Sequence, residues 1–225
     1  MTDGDGHDHG QAGGDGEHAS ERVPDSERGH DHPAGGGGDD ERRPVEDGQQ
    51  AGDDAHHAGD AAVVRAAVVT VSSTRSLDDD PSGDLIADAL TDAGHAVVTR
   101  ELIRDEFDGV QGTVARLVNR RDVDVIVTTG GTGVTDDDVT PEAVDPVLGK
   151  RLPGFGEEFR RRSVAEIGAM GIVSRALAGV ADGTVVVCLP GSESAVRTGM
   201  DLLEPVVGHL VGLAEDGNED VDASD

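Results

Sequence analysis

One lysine, one cysteine and no long apolar run delimit what this 225-residue chain can be. Lys150 is the only lysine, acids outnumber Lys and Arg by 47 to 18, and the formal net charge is −29. A surface so negative repels a phosphate backbone, which excludes a basic nucleic-acid interface. It suits molar salt instead, where the screening length shrinks to about 3 Å and self-repulsion is muted. The composition therefore points to a halophile's cytoplasm. Cys188 stands alone in the apolar stretch TVVVCLP, so no internal disulfide forms. No signal peptide is evident, and no apolar run approaches the ~18 residues needed to cross a bilayer. The expectation is a soluble cytoplasmic protein.

What is present falls into three parts. Residues 1–61 hold 14 of the 33 glycines and 7 of the 9 histidines, with almost no large apolar side chain. Such a segment buries too little to offset the entropy of ordering and reads as a disordered acidic tail. Its GHDHG and GHDHP repeats form His-x-His pairs, a ligand pattern for transition metals, but a solvated tail fixes no coordination geometry. Residues 215–225 read as a second loose acidic tail. Between them, 62–214 alternates strand-like and helix-like segments. VVRAAVVTVS, HAVVTRELI, VDVIVTTG and TVVVCLP read as strands, with amphipathic helices between and after them. The pattern predicts an α/β fold, a three-layer sandwich around a mostly parallel sheet.

In such sheets ligands bind beyond the carboxyl ends of the strands. Three loops lie there. TTGGTGVTDDDVTPEA places Thr129, Gly130, Gly131, Thr132 and Gly133 directly before Asp136, Asp137 and Asp138. Glycines let a backbone approach an anion closely, although a tight turn after a strand accounts for them equally well. The run lacks the lysine of a P-loop and the glycine spacing of a dinucleotide fingerprint. Carboxylates beside an anion site are sensible if Mg²⁺ lies between them and a phosphate. Asp138 is the candidate ligand, or simply the cap of the helix that Pro141 begins; Asp136 and Asp137 read as solvated surface acids. Asp105, after the second strand, is likewise either a site acid or a helix N-cap. The first loop offers Ser72, Asp80, Ser82 and Gly83, with Ser82 a candidate cap. Pro190, Gly191 and Ser192 form a third, anion-friendly strand-to-helix junction. A hydrolase triad is excluded, because His95 and His209 stand alone and no nucleophile elbow occurs.

Taken together, TTGGTG, DVTPEA, PGFGEEFR (153–160), SRALAGV (174–180) and LPGSESAVR (189–197) resemble the MogA/MoaB family of molybdenum cofactor biosynthesis, most closely its MoaB branch. The resemblance spans roughly residues 63–213. It implies a homotrimer or a hexamer that binds molybdopterin, with Mg²⁺ as cofactor and ATP as second substrate. The implied reaction joins the two into adenylyl-molybdopterin and releases pyrophosphate, for hand-off to a MoeA-like metal-insertion protein. By the same resemblance Asp138 and Asp105 are the catalytic acids, with Asp138 on Mg²⁺. The first-loop and glycine-loop residues with Ser174, Pro190, Gly191 and Ser192 bind molybdopterin or nucleotide. A non-catalytic molybdopterin-binding protein is the alternative, and the related domain of competence-damage-inducible proteins a lesser one.

Overall fold

The computed structural model of the protein describes residues 61–222, with side chains described as far as Glu215. The expected Gly/His-rich tail lies outside these residues.

Six strands form one sheet in the order β2-β1-β3-β6-β5-β4. They are β1 (Arg65–Val71), β2 (Ala96–Ile103), β3 (Val125–Thr129), β4 (Lys150–Arg151), β5 (Leu177–Ala181) and β6 (Thr184–Leu189). The first four in that order run parallel, while β5 is antiparallel to both β6 and β4. Helices cover both faces. They are α1 (Pro81–Asp92), α2 (Phe107–Val118), α3 (Thr140–Val144), α4 (Pro153–Ile167), α5 (Glu193–Leu203) and α6 (Val207–Asp222).

The central strands are apolar at nearly every position because both faces are covered. Their side chains alternate with the two-residue period of a strand. Ala66, Val68, Val125, Val127, Val185, Val187 and Leu189 pack with Ile86 and Leu90 of α1, Phe159 of α4, and Val196, Met200 and Leu203 of α5. Ala67, Val69, Val71, Ile126, Val186 and Cys188 pack instead with Val110, Val114 and Leu117 of α2 and with Ala143 and Val144 of α3. The result is the expected three-layer sandwich. Phe159 is its one fully buried aromatic side chain, so β-branched residues supply most of the core.

Four details differ from the sequence reading. SRALAGV reads as an irregular small-residue stretch, yet it contains β5. The hairpin into β6 turns on Asp182 and Gly183, both with positive φ (45° and 84°), the pattern of a type I′ turn. The segment 193–215 reads as one helix bent at Pro205, but α5 ends at Leu203 and α6 starts at Val207. Proline lacks the N–H that would continue the ladder. The backbone stays helical to Asp222 where a loose tail from Glu215 was expected. Finally, the α1 cap is Asp80, not Ser82: its carboxylate accepts from the Gly83 N–H at 3.0 Å.

Candidate active site

Strand β1 leads through α1 to β2 on one side, and β3 continues the sheet on the other. The crevice between the ends of β1 and β3 is therefore the point where strand order reverses, the expected ligand position for this class. The glycine loop crosses it. Gly130 adopts φ +104°, and a Cβ there would fall 2.1 Å from the Val71 carbonyl oxygen. Its N–H donates to the Leu189 carbonyl at 3.0 Å, which ties the loop to the end of β6. Thr129 Oγ1 donates to the Pro190 carbonyl at 2.9 Å, and Ser82 Oγ to the Gly191 carbonyl at 2.8 Å. Three loops distant in sequence are thus stitched into one surface.

Gly131, at φ +62°, sits over two acceptors that lack partners. A Cβ built there would lie 2.3 Å from Thr140 Oγ1 and 2.6 Å from Asp105 Oδ1. Both oxygens are buried and neither has a hydrogen-bond partner among the described residues. Buried polar atoms in folded proteins are nearly always satisfied, so two orphans at one point mark a place built for something else. Burial pushes the Asp105 carboxyl above its ordinary range; the Val139 backbone N–H opposes this, and the charges of Asp138 and Asp137 reinforce it.

Asp138 lies on the same loop under different conditions. Its carboxylate accepts from the Thr135 N–H at 3.0 Å and the Thr135 hydroxyl at 2.6 Å, closing a turn of its own. It does not cap α3, whose flanking residue is Val139. Burial works against its ionisation, but the Thr135 and Gly133 donors and the Arg175 charge outweigh that and hold it below the ordinary range. The two acids are therefore driven apart, Asp105 up and Asp138 down, an arrangement common where carboxylates take different chemical roles. Nor is Asp105 a helix cap, since Glu106 flanks α2. Asp136 and Asp137 are exposed, as surface acids should be.

Thr132, Gly133, Ser174, Pro190 and Ser192 line one small cavity of about 180 Å³ together with Phe159, Ile167 and Met170. Other expected site residues serve the scaffold. Asp80 is buried beneath the surface, where it takes a 2.6 Å bond from Thr70 Oγ1 besides capping α1. Gly83 supplies the capped N–H. Ser72 Oγ accepts from the N–H groups of Thr74 and Arg75 and so shapes its own turn. Ser192 also caps α5 through the Ala195 N–H.

Two residues escape the sequence reading. Thr140 is one. The other is Arg175, which reaches from the start of β5 across the glycine loop. Its Nε donates to the Gly133 carbonyl at 2.6 Å, one terminal nitrogen to the Asp138 carbonyl at 2.7 Å, and the other pairs with Glu142. One planar fork thereby spans both ends of the Asp138 turn, a reach that a lysine's single ammonium lacks. Nothing near Arg175 in sequence reveals this, because its acceptors lie 33 to 42 positions away. Arg175→Ala should cost about 2 kcal/mol, read as a fall of about 4–8 °C in Tm, and Arg175→Lys should recover only part.

The donor types at the loop are those of a hard cation. The orphaned Asp105 and Thr140 oxygens are hard donors aimed at one point, and Asp138 stays ionised beside them. Among the described residues no group of three or more Asp, Glu, His or Cys is assembled to hold a metal unaided. Mg²⁺ takes one or two carboxylates and completes its shell with water and substrate oxygens.

Fold and site together define a doubly wound α/β domain with its ligand site at the strand switch point. Residues 67–209 match the family described as "Probable molybdopterin binding domain". The chain belongs to that family, in its MoaB branch. It is 44% identical over 143 residues to molybdenum cofactor biosynthesis protein B of Bacillus anthracis, covering 63% of this chain and 85% of the relative. It is 36% identical over 155 residues to the probable molybdopterin adenylyltransferase of Methanocaldococcus jannaschii, covering 66% and 92%. Among solved structures, a molybdenum cofactor biosynthesis protein B superposes with a TM-score of 0.67 at 42% identity, covering 68% of this chain and 97% of the other. The tungsten cofactor synthesizing protein MoaB of Pyrococcus furiosus gives a TM-score of 0.61 at 35% identity, covering 68% and 98%.

Proposed function

We propose that this protein adenylylates molybdopterin with ATP, giving adenylyl-molybdopterin and pyrophosphate. The observation that carries the reading is a pair of carboxylates at the glycine loop of the strand switch point, Asp105 with an unpartnered oxygen against Gly131 and Asp138 in its own turn with Thr135. The name of the Methanocaldococcus jannaschii relative supports it.

In the reaction an oxygen of molybdopterin's terminal phosphate forms a bond to the α-phosphorus of ATP, and the bond from that phosphorus to the bridging oxygen breaks. Pyrophosphate leaves with the electron pair. Such displacements need positioning and charge stabilisation more than covalent help from the protein. The loop supplies positioning: Gly130 and Gly131 bring bare backbone to the phosphates, while Arg175 and the Thr135–Asp138 turn hold the loop rigid. Asp105, Asp138 and Thr140 would hold Mg²⁺, which when bound neutralises charge on the phosphate oxygens. Cys188 is fully buried in β6, its thiol pushed up to about 12 by that burial, and so is no nucleophile for this reaction.

The exposed apolar residues Val164, Ile167, Met170 and Ile172 follow one another closely along the chain and support a homo-oligomer, trimer or hexamer. The direct test of the catalytic reading is the appearance of adenylyl-molybdopterin, followed by mass spectrometry with purified protein, ATP, Mg²⁺ and molybdopterin.

A further inference from the structure

The loop after β1 carries a cation that its nearest acids do not claim. Asp78 and Asp79 lie three and four positions beyond Arg75, both exposed and neither in an ion pair among the described residues. Arg75 turns inward instead. One terminal nitrogen donates to Ser82 Oγ at 3.0 Å, and the other reaches the Gly191 carbonyl at 3.5 Å. That hydroxyl and that carbonyl already bond each other at 2.8 Å. Asp80 lies 3.9 Å away, an ion pair too long to be a hydrogen bond. Its carboxylate is occupied by Thr70 Oγ1, the Gly83 N–H and Arg100 of β2, and Arg100 pairs more closely with Asp84, at 2.7 Å. Of the five donors that a guanidinium offers, Arg75 uses one well.

The fold puts those spare donors at the candidate site. Asp105, Arg75, the glycine loop and Gly191 follow β2, β1, β3 and β6, which are neighbours in that order. The loop of Arg75 is thus flanked by the loop of Asp105 on one side and the glycine loop on the other. A Cβ on Gly191 would fall 3.3 Å from Gly130 Cα, so the carbonyl that Arg75 reaches belongs to a residue packed on the glycine loop. The root of the side chain is fixed on both sides. Its own N–H donates to Ser72 Oγ at 3.2 Å, and the turn beyond it is closed by the Asp79 N–H on the Ser76 carbonyl at 3.0 Å. Ser82 stands in the first turn of α1, and Gly191 immediately precedes Ser192, the cap of α5. Helix starts carry partial positive charge, so a guanidinium between two of them is a poor neighbour until an anion joins it. Of the other arginines around the site, Arg104 is exposed and Arg175 is spent on loop carbonyls and Glu142.

We propose that Arg75 is the phosphate-binding residue of this site, taking a phosphate of the reacting pair onto its free donors. A planar guanidinium matches two oxygens of one phosphate, which a single ammonium does not. The proposal rests on the adenylyltransferase reading and deepens it: the acids of the β2 and β3 loops call for a bound cation, whereas Arg75 is a cation the chain itself supplies. The phosphate belongs either to the end of ATP that departs as pyrophosphate or to the terminal phosphate of molybdopterin. Both present the same oxyanion, and the test separates them.

The experiment measures binding of inorganic pyrophosphate, of ATP and of molybdopterin to the full-length protein by equilibrium dialysis in molar KCl with Mg²⁺. Arg75→Gln should weaken binding by about tenfold or more, the loss of one charge-assisted contact. Arg75→Lys, which keeps the charge without the fork, should recover part of it. Arg100→Gln removes a closer contact to the same Asp80 and should bind as the wild type does. A loss for pyrophosphate and ATP assigns Arg75 to the leaving group; a loss for molybdopterin assigns it to the pterin's phosphate. Unchanged affinity for all three in Arg75→Gln overturns the proposal, as does a wild type that binds none of them. An equal loss in Arg100→Gln also overturns it, since Arg75 then acts only through Asp80. So does a loss that lysine leaves unrepaired in a variant melting well below the wild type, because the loop's shape then explains it. Adenylyl transfer at unchanged kcat and KM in Arg75→Gln refutes the role of Arg75 and leaves the reaction standing. Arg75-dependent phosphate binding without turnover refutes the reaction and leaves the phosphate site.

Discussion

Asp138→Ala should lower the rate of adenylyl transfer by at least about 10²–10³-fold, the scale on which removing one preorganised electrostatic group acts. The reason is positional as much as electrostatic. Asp138 is held ionised by Thr135, Gly133 and Arg175 despite the burial that opposes it, and its charge acts on Asp105, whose Oδ1 lacks a partner. Alanine removes both the charge and the Thr135 turn, so a companion variant is needed. Asp138→Asn keeps an oxygen for the Thr135 donors and loses only the charge. Equal losses in the two assign the effect to the carboxylate. A loss confined to alanine assigns it to the turn, with Asp138 as scaffold. Single-turnover kinetics at saturating ATP measures the chemical step apart from binding.

Asp105→Asn should move activity and stability in opposite directions. An ionised oxygen buried without a partner costs about 1–3 kcal/mol or more, and the amide removes that cost while abolishing the negative donor. The sign with pH follows from the direction of the shift. Burial raises the folded-state carboxyl above its ordinary value of 3.8, so the folded protein holds the proton more tightly than the unfolded chain. The resulting stabilisation is complete below that ordinary value and is lost as pH rises through the raised one. At pH 7 without divalent cation the asparagine variant should therefore melt above the wild type, and the gap should close as pH falls through that window. Mg²⁺ should raise the wild-type Tm and leave the variant's unchanged, a ligand effect set by mass action. A variant that melts below the wild type at pH 7 would show that Asp105 supports the fold. The expected result, a variant that melts above the wild type and has lost activity, is the ordinary trade of stability for function.

The layers were legible because burial on both faces forces continuous Val-rich strands and because amphipathic helices carry their own period. Strand β5 was not, since Leu177–Ala181 is built largely from small residues. Its one local signal is the Asp182-Gly183 pair, a hairpin turn flanked by two short strands. The acidic segment from Glu215 looked too polar to be ordered, yet the helix begun at Val207 carries on through it. At the site, glycines and acids could be named from their types and order, but their roles needed distances. Asp80 and Ser82 are both good cap residues, and only the Gly83 contact decides between them. Asp138 precedes a helix in sequence but turns back to Thr135 in space. Arg175 and Thr140 act across long sequence separations, which no local pattern encodes.

The measurement that tests the central claim most directly is mass-spectrometric detection of adenylyl-molybdopterin formed by the purified full-length protein with ATP, Mg²⁺ and molybdopterin in molar KCl, with pyrophosphate counted in parallel. Stoichiometric adenylyl-molybdopterin and pyrophosphate, dependent on Mg²⁺ and lost in Asp138→Asn, is the result expected of a molybdopterin adenylyltransferase. Tight molybdopterin binding by a folded protein that makes neither product would contradict it and leave a binding protein without this chemistry.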